Sequence, residues 1–142
     1  MTAVLTATRA RRSDRYGISV RDELDAFLLE LTPAWPETSF VALGDQWQEV
    51  DRKEASALIP EITRYSLAYN VRCKPRWIGW TSPDDFLGHF IGDCRYFSNG
   101  WRSDWRALPA FSWTGATTST LDAGVGVVSA TDLGILWVQD ED

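Results

Sequence analysis

The sequence predicts an α+β fold, in which an antiparallel β-sheet of roughly five to seven strands carries about three helices, packed mainly on one face. Three observations lead to this prediction. Apolar stripes at helical spacing and strand-like alternation both occur, they follow one another without a repeat or a linker, and the chain of 142 residues has the length of one domain. We therefore expect residues 18–142 to form a single α+β domain, preceded by a flexible basic arm over residues 1–17.

The N-terminal segment over residues 1–17 shows no period, which is typical of a mobile arm. Its arginines are Arg9, Arg11, Arg12 and Arg15. These arginines could bind an anionic partner, but so few charges attract such a partner only weakly. A plain tail is the favoured interpretation.

Two helices are predicted in the first half of the chain. The first begins after Ser19, a good N-cap residue, and Pro33 follows the end of its apolar stripe. The second begins at Asp51, and Glu54 three residues later completes a capping pattern. Pro60 lies inside the second apolar stripe, so this helix must kink or restart there.

Several strands are expected from short apolar or alternating runs. The run over residues 40–43 predicts one strand, and strict alternation over residues 65–73 favours another. The second run also fits a helix that continues past the proline. Further strands are predicted over residues 77–80, 95–97 and 110–113.

The remaining elements are a third helix and a C-terminal hairpin. Ser82 is a good N-cap for the helix, with Pro83 at the first position and two acids in the first turn. Apolar residues alternate over residues 121–127 and 133–137, which predicts two hairpin strands. Because a lone hairpin is marginal, these strands are expected to pair with the strands upstream.

The net charge of −6 is unevenly distributed, since residues 21–63 hold ten acids against three bases. Such a field disfavours nucleic acid and favours a protein partner that is basic. The two cysteines do not suggest a disulfide framework, and neither a secretory signal nor a membrane-spanning apolar run is found. We therefore expect a cytoplasmic protein with reduced thiols and no membrane contact. The sequence does not indicate an oligomeric state.

His89 is the only histidine and the candidate general acid or base. On the predicted third helix, Asp85 and Asp93 lie four residues before and after it, where either could orient the imidazole. Ordinary surface pairs at this spacing are the competing interpretation. Cys73 and Cys94 match neither a familiar thiol site nor a familiar zinc site with these residues. No catalytic residue, metal or cofactor is therefore predicted, although a small enzyme stays open as the alternative.

A run rich in tryptophan and arginine is the strongest surface candidate. Trp101 and Trp105 lie four residues apart, as do Arg102 and Arg106, and the four are named the Trp/Arg patch. Tryptophan and arginine are enriched in interface hot spots, so we predict that the patch binds a protein, with Trp80 as a further binding residue. A core lid with arginine stacked on tryptophan, or a base-stacking site, would explain the same residues.

The predicted function is that of a non-catalytic acidic protein that binds another macromolecule through the Trp/Arg patch and its acidic surface. The alternating C-terminal hairpin, small size, acidity and missing catalytic set resemble small cytoplasmic immunity or inhibitor proteins. That resemblance implies a stoichiometric inhibitor of a basic toxin or nuclease, with the acids steering association. The alternative is a small enzyme or small-ligand-binding protein with a tryptophan-lined pocket that uses His89.

Overall fold

A computed structural model of the chain describes residues 3–12, 18–67, 72, 76–108, 111–119 and 121–140. The strands are β1 (Ala3–Arg11), β2 (Gln48–Val50), β3 (Arg76–Gly79), β4 (Arg95–Ser98), β5 (Leu121–Val128) and β6 (Asp132–Asp140), and the helices are α1 (Val20–Leu29) and α2 (Arg52–Arg64). These elements confirm the predicted α+β class. The described residues form one sheet of six strands, with two α-helices where about three were expected.

The sheet has the strand order β2-β4-β5-β6-β1-β3. Neighbouring strands run antiparallel, as predicted, except for the parallel pair β1 and β3. The predicted C-terminal hairpin is formed by β5 and β6 at the centre of the sheet. Its upstream neighbours are β4 on one side and β1 on the other.

Residues 3–11 form β1 instead of the predicted flexible arm. All nine residues pair with β6, and residues 3–7 are buried. Arg12, which follows the strand, donates to the Glu23 carboxylate over 2.7 and 3.0 Å, and this bond raises the pKa of the guanidinium. The partner strand lies at the far end of the described chain, so no local period could reveal it. Arg15 lies outside the described residues.

The two helices pack on opposite faces of the sheet, whereas the sequence predicts them mainly on one face. Ile135 of β6 belongs to the apolar cluster of Leu24 in α1, but its neighbour Leu136 belongs to the cluster of Leu58 in α2. Adjacent strand residues point to opposite faces, so the sheet is covered on both sides. The unbroken apolar run over residues 135–138 is the sequence signal for a strand covered in this way.

Both predicted helix starts are confirmed by their caps. The Ser19 hydroxyl accepts the Asp22 backbone N–H at 3.1 Å, and the Asp51 carboxylate accepts the Glu54 backbone N–H at 2.7 Å. One helix, α2, continues past Pro60, where the sequence predicts a kink or a restart. None of the described helices is long and apolar enough to cross a membrane.

The predicted third helix is replaced by two short 3₁₀ turns, Pro83–Asp85 and Leu87–His89. Ser82 still caps the first turn, with its hydroxyl accepting the Asp85 backbone N–H at 3.3 Å. Gly88 lies within the second turn, and glycine is costly inside an α-helix. The capping residues were therefore recognised correctly, but the element that they begin is too short to be an α-helix.

The other strand predictions have mixed outcomes. The predictions over residues 77–80 and 95–97 correspond to β3 and β4. Residues 40–43 contribute only an isolated bridge between Phe40 and Thr117, and residues 111–113 form no strand. Much of the alternating run lies outside the described residues, including Cys73, and its described part holds one bridge between residues 65 and 72.

Two core tryptophans are each held by a buried aspartate. The Trp47 indole N–H donates to Asp25 at 2.8 Å, and the Trp137 indole N–H donates to Asp122 at 3.0 Å. The two rings meet edge to face, with their centroids 5.7 Å apart. Each aspartate also accepts two consecutive backbone N–H groups, which belong to Leu43 and Gly44 for Asp25 and to Ala116 and Thr117 for Asp122. We name these two units the Asp–Trp clasps.

Candidate functional site

The Trp/Arg patch is partly core and partly surface. Trp101 is only 2% exposed, and its ring centroid lies 5.4 Å from that of Trp105, 4.9 Å from Phe111 and 4.8 Å from Trp113. These four rings are named the aromatic cluster, and they pack on the same core as α2. Trp101 therefore matches the core-lid interpretation, whereas Arg102 and the half-buried Trp105 reach the surface.

Two glutamates of α2 hold the segment over residues 101–108, which we name the strap. The Glu54 carboxylate accepts the Ser103 backbone N–H at 2.9 Å and the Ser103 hydroxyl at 3.0 Å. Further along the helix, Glu61 forms an ion pair with Arg106. These contacts fix the strap alongside the first and last turns of α2.

Arg106 also stacks on aromatic rings. Its guanidinium carbon lies 4.5 Å from the centroid of Tyr65 and 5.0 Å from that of Trp105. An arginine stacked between rings and paired with a carboxylate is well fixed. Arg106 therefore serves the strap, which leaves Arg102 as the more exposed arginine of the patch, paired with Asp104 at 3.1 Å.

The indole nitrogens of the strap lack hydrogen-bond acceptors. Nε1 of Trp101 and Nε1 of Trp105 are both buried, and neither has a partner among the described residues. A buried donor without an acceptor costs about 1–3 kcal/mol. Among the described residues, the strap differs in this respect from the Asp–Trp clasps, whose indole N–H groups have carboxylate acceptors.

Trp80 lies apart from the aromatic cluster in its ring contacts. It follows β3, is 40% exposed, and packs edge to face on Phe86 with a centroid distance of 5.8 Å. The guanidinium of Arg9 lies 5.2 Å from its ring centroid, and the His89 ring lies 4.9 Å away. The described contacts include none between Trp80 and a ring of the strap, so Trp80 is not joined to the patch.

His89 is exposed, and no carboxylate orients it among the described contacts. Its Nε2 lies 2.7 Å from the Thr81 hydroxyl. The Asp85 carboxylate accepts the Ser82 hydroxyl at 2.8 Å instead, and Asp93 is exposed without a described bond to the imidazole. Residues four positions apart lie close together on one face of an α-helix. The 3₁₀ turns do not have this geometry, so they do not place Asp85 and Asp93 beside His89 in the predicted way.

The part of the chain that the structure describes holds no group of three histidine, cysteine, aspartate or glutamate residues that could bind a metal ion. Cys94 is half-buried, with a free thiol.

A groove of about 380 Å³ lies beside β2, where the sequence predicts no strand, and is named the edge groove. Its charged and polar lining consists of Gln48, Glu49, Asp51, Glu54, Ser98 and Arg102. Three of these residues are acids and one is an arginine. The acid-rich composition of residues 21–63 was the sequence signal for an acidic groove. The strand β2 has only three residues, however, which is too short to show a period in the sequence.

The lining is divided between the two faces of β2. Glu49 pairs with Phe97 in the ladder, so its side chain points to the α1 face, where Arg95 donates to it over 2.7 and 2.9 Å. That bond lowers the pKa of Glu49 and raises the pKa of Arg95. Gln48 and Val50 point to the α2 face instead. Gln48 is exposed there and has no described hydrogen bond of its side chain.

β2 is also the last strand of the sheet on its side. Among the described residues, the backbone groups of residues 48–50 hydrogen-bond only within the ladder to β4. The outer edge of β2 therefore offers backbone donors and acceptors directly beside the edge groove.

Comparisons of the chain with models of protein families, with curated proteins and with solved structures find no match. Function is therefore inferred from the geometry of the site.

Proposed function

We propose that this protein is a non-catalytic acidic protein that binds a basic protein partner at the edge groove, as an inhibitor or immunity-type protein would. The observation that carries the proposal is the position of the Asp51 and Glu54 carboxylates in a groove beside the last strand of the sheet. We expect the protein to act in the cytoplasm.

Charge supports a basic partner in two ways. The whole chain carries a charge of −6, which draws a basic protein towards it over a distance of about one Debye length. The groove then supplies local complementarity through Asp51 and Glu54. Electrostatic complementarity of this kind mainly raises the association rate and selects the partner, so binding should weaken as salt is added.

Two members of the Trp/Arg patch, Arg102 and Trp101, support this proposal in different ways. Arg102 lines the groove, where its guanidinium can donate to carbonyl groups of a partner. Trp101 lies in the core one residue away and supports the wall from which Arg102 projects. A surface supported by packed aromatic rings loses little entropy on binding.

The enzyme alternative has less support from the described contacts. His89 contacts Thr81 and Trp80, and no tryptophan of the aromatic cluster is among its described ring contacts. A base within reach of a hydroxyl is one part of a nucleophilic site, but a third group should orient the base. Asp85, one of the two aspartates four residues from His89, is bonded to Ser82.

The proposed function can be tested by selecting ligands from a displayed random peptide library. Selected peptides should be enriched in lysine and arginine, because the groove is acidic. Binding of these peptides should fall about tenfold in Gln48→Lys, which adds a positive charge on the groove side of β2 without removing a described bond.

The matched control is Thr32→Lys, which adds the same charge at an exposed position after α1. It should leave peptide binding within about twofold of the wild type. Selection of apolar or acidic peptides, or an equal effect of both variants, would contradict the proposal.

A further inference from the structure

We propose that the partner binds in extended form, as an additional strand on the outer edge of β2, with lysine or arginine at alternate positions. This inference rests on the proposed function and adds to it the mode of binding and the pattern of the partner segment.

The open backbone of β2 is the first support. Strand addition uses the free N–H and C=O groups of a terminal strand for affinity and the side chains beside it for specificity. β2 is terminal, and its backbone bonds only to β4 in the described ranges. In many proteins, a short strand at the edge of a sheet prevents unwanted pairing with strands of other chains. Here, however, the residues of β2 line a groove of about 380 Å³, which gives space to side chains of a partner beside the strand.

The division of charges across β2 is the second support. Side chains of an added strand would alternate between the two faces of the sheet. Those on the α2 face would meet Asp51 and Glu54, which lie in the groove. Those on the α1 face would meet Glu49, which Arg95 already neutralises. Basic residues are therefore favoured at every second position, with small or polar residues between them.

The groove carboxylates retain acceptor capacity for such basic residues. Glu54 accepts two bonds from Ser103, and the described bonds of Asp51 include one from a backbone N–H at the start of α2. A carboxylate has about four lone-pair sites. An ammonium group can thus approach either residue without breaking the bonds that hold the strap and cap the helix.

The opposite edge of the sheet does not fit the same segment. β3 carries Arg76, and the exposed Ile78 stands near its centre. A basic segment would meet a like charge there. The chemistry of the two edges thus favours β2 as the docking edge.

The test uses an alternating lysine–threonine peptide of about eight residues, the length of an ordinary strand. Two further versions carry N-methyl groups, on the lysines in one and on the threonines in the other. In an extended strand the N–H groups of alternate residues point to the same side. Binding by strand addition should therefore be about tenfold weaker for one methylated version and nearly unchanged for the other. Calorimetry measures these affinities.

Amide hydrogen exchange gives a second readout for the same peptide. Addition of a strand should slow exchange at one or more backbone amides within residues 48–50. Gln48→Lys should weaken binding about tenfold, and Thr32→Lys should not.

The outcomes separate the mode of binding from the proposed function. If both methylated versions bind as well as the parent peptide and Gln48→Lys still weakens them, the groove recognises charge alone, and strand addition is overturned while the proposed function stands. If the peptide binds but Gln48→Lys and Thr32→Lys have equal effects, both are overturned. Absence of any binding overturns strand addition by an alternating basic segment, and the displayed library then decides the proposed function.

Discussion

The molecule buries tryptophans in two ways. In the Asp–Trp clasps, the indole N–H groups of Trp47 and Trp137 donate to carboxylates at 2.8 and 3.0 Å. In the strap, the indole N–H groups of Trp101 and Trp105 have no acceptor among the described residues. Packing of the rings is similar, since both pairs meet at centroid distances of 5.7 and 5.4 Å. The two pairs differ in the polar atom, and also in burial, since Trp105 is only half-buried.

The largest expected effect is loss of the clasp carboxylate in Asp122→Ala. This variant removes the acceptor for the Trp137 indole, for the backbone N–H groups of Ala116 and Thr117, and for the Thr117 hydroxyl. Several buried donors without acceptors should lower the free energy of unfolding by about 3 kcal/mol or more. Urea denaturation measures the change. The exposed Asp45→Ala is the control and should stay within about 0.5 kcal/mol of the wild type.

A smaller effect is expected from matched tryptophan replacements. Trp137→Phe removes a donor from Asp122 as well as ring volume, whereas Trp101→Phe removes a donor that has no acceptor among the described residues. Both variants lose packing, but the first should be about 1–2 kcal/mol more destabilising than the second. Equal free energies of unfolding for the two variants would show that the indole hydrogen bond has no net effect, and the contrast between clasp and strap would fail.

The smallest expected effect is a pH dependence that comes from Asp122. Burial raises the pKa of this carboxyl above its usual value of 3.8, and this effect exceeds that of its hydrogen-bond donors. A raised pKa means that the folded state binds the proton more tightly, so this group stabilises the protein below 3.8 and the contribution is lost as the pH rises through the folded pKa.

The measurement compares the wild type with Asp122→Asn, which cannot titrate at this position. The deficit in unfolding free energy of the variant should grow as the pH is lowered from neutral towards 4. A deficit that shrinks on acidification would reverse the sign and place the donors above burial as the dominant influence.

The parts of the fold that were predictable are those with local causes. Ser19 and Asp51 cap their helices through bonds to residues three positions away, so the sequence reveals them. β1 depends on β6 instead, and the arginines of residues 9–12 concealed its buried first half. The unbroken apolar run over residues 135–138 indicated that the strand is covered on both faces of the sheet. The prediction of the hairpin used only the alternating residues and therefore did not include this coverage.

The candidate site was harder to predict for a related reason. The edge groove is built from β2, the start of α2, the end of β4 and Arg102 of the strap, which only tertiary packing brings together. Arg102 was predicted as a member of the Trp/Arg patch, and its position in a groove was not predicted. Asp122 was not singled out, yet an acid inside the apolar run of β5 is a signal of a buried polar contact.

The position of β1 between β6 and β3 has a consequence for how the chain folds. During synthesis, β1 must wait for residues 132–140 before it gains its antiparallel partner. Until then, the buried residues 3–7 lack that partner and have only the four residues of β3 to pair with. Such a high contact order slows folding, and the waiting strand is exposed to association with other chains. Refolding should accordingly be slow for a domain of this size, and crowding of nascent chains should lower the yield more than it lowers the stability of the finished protein.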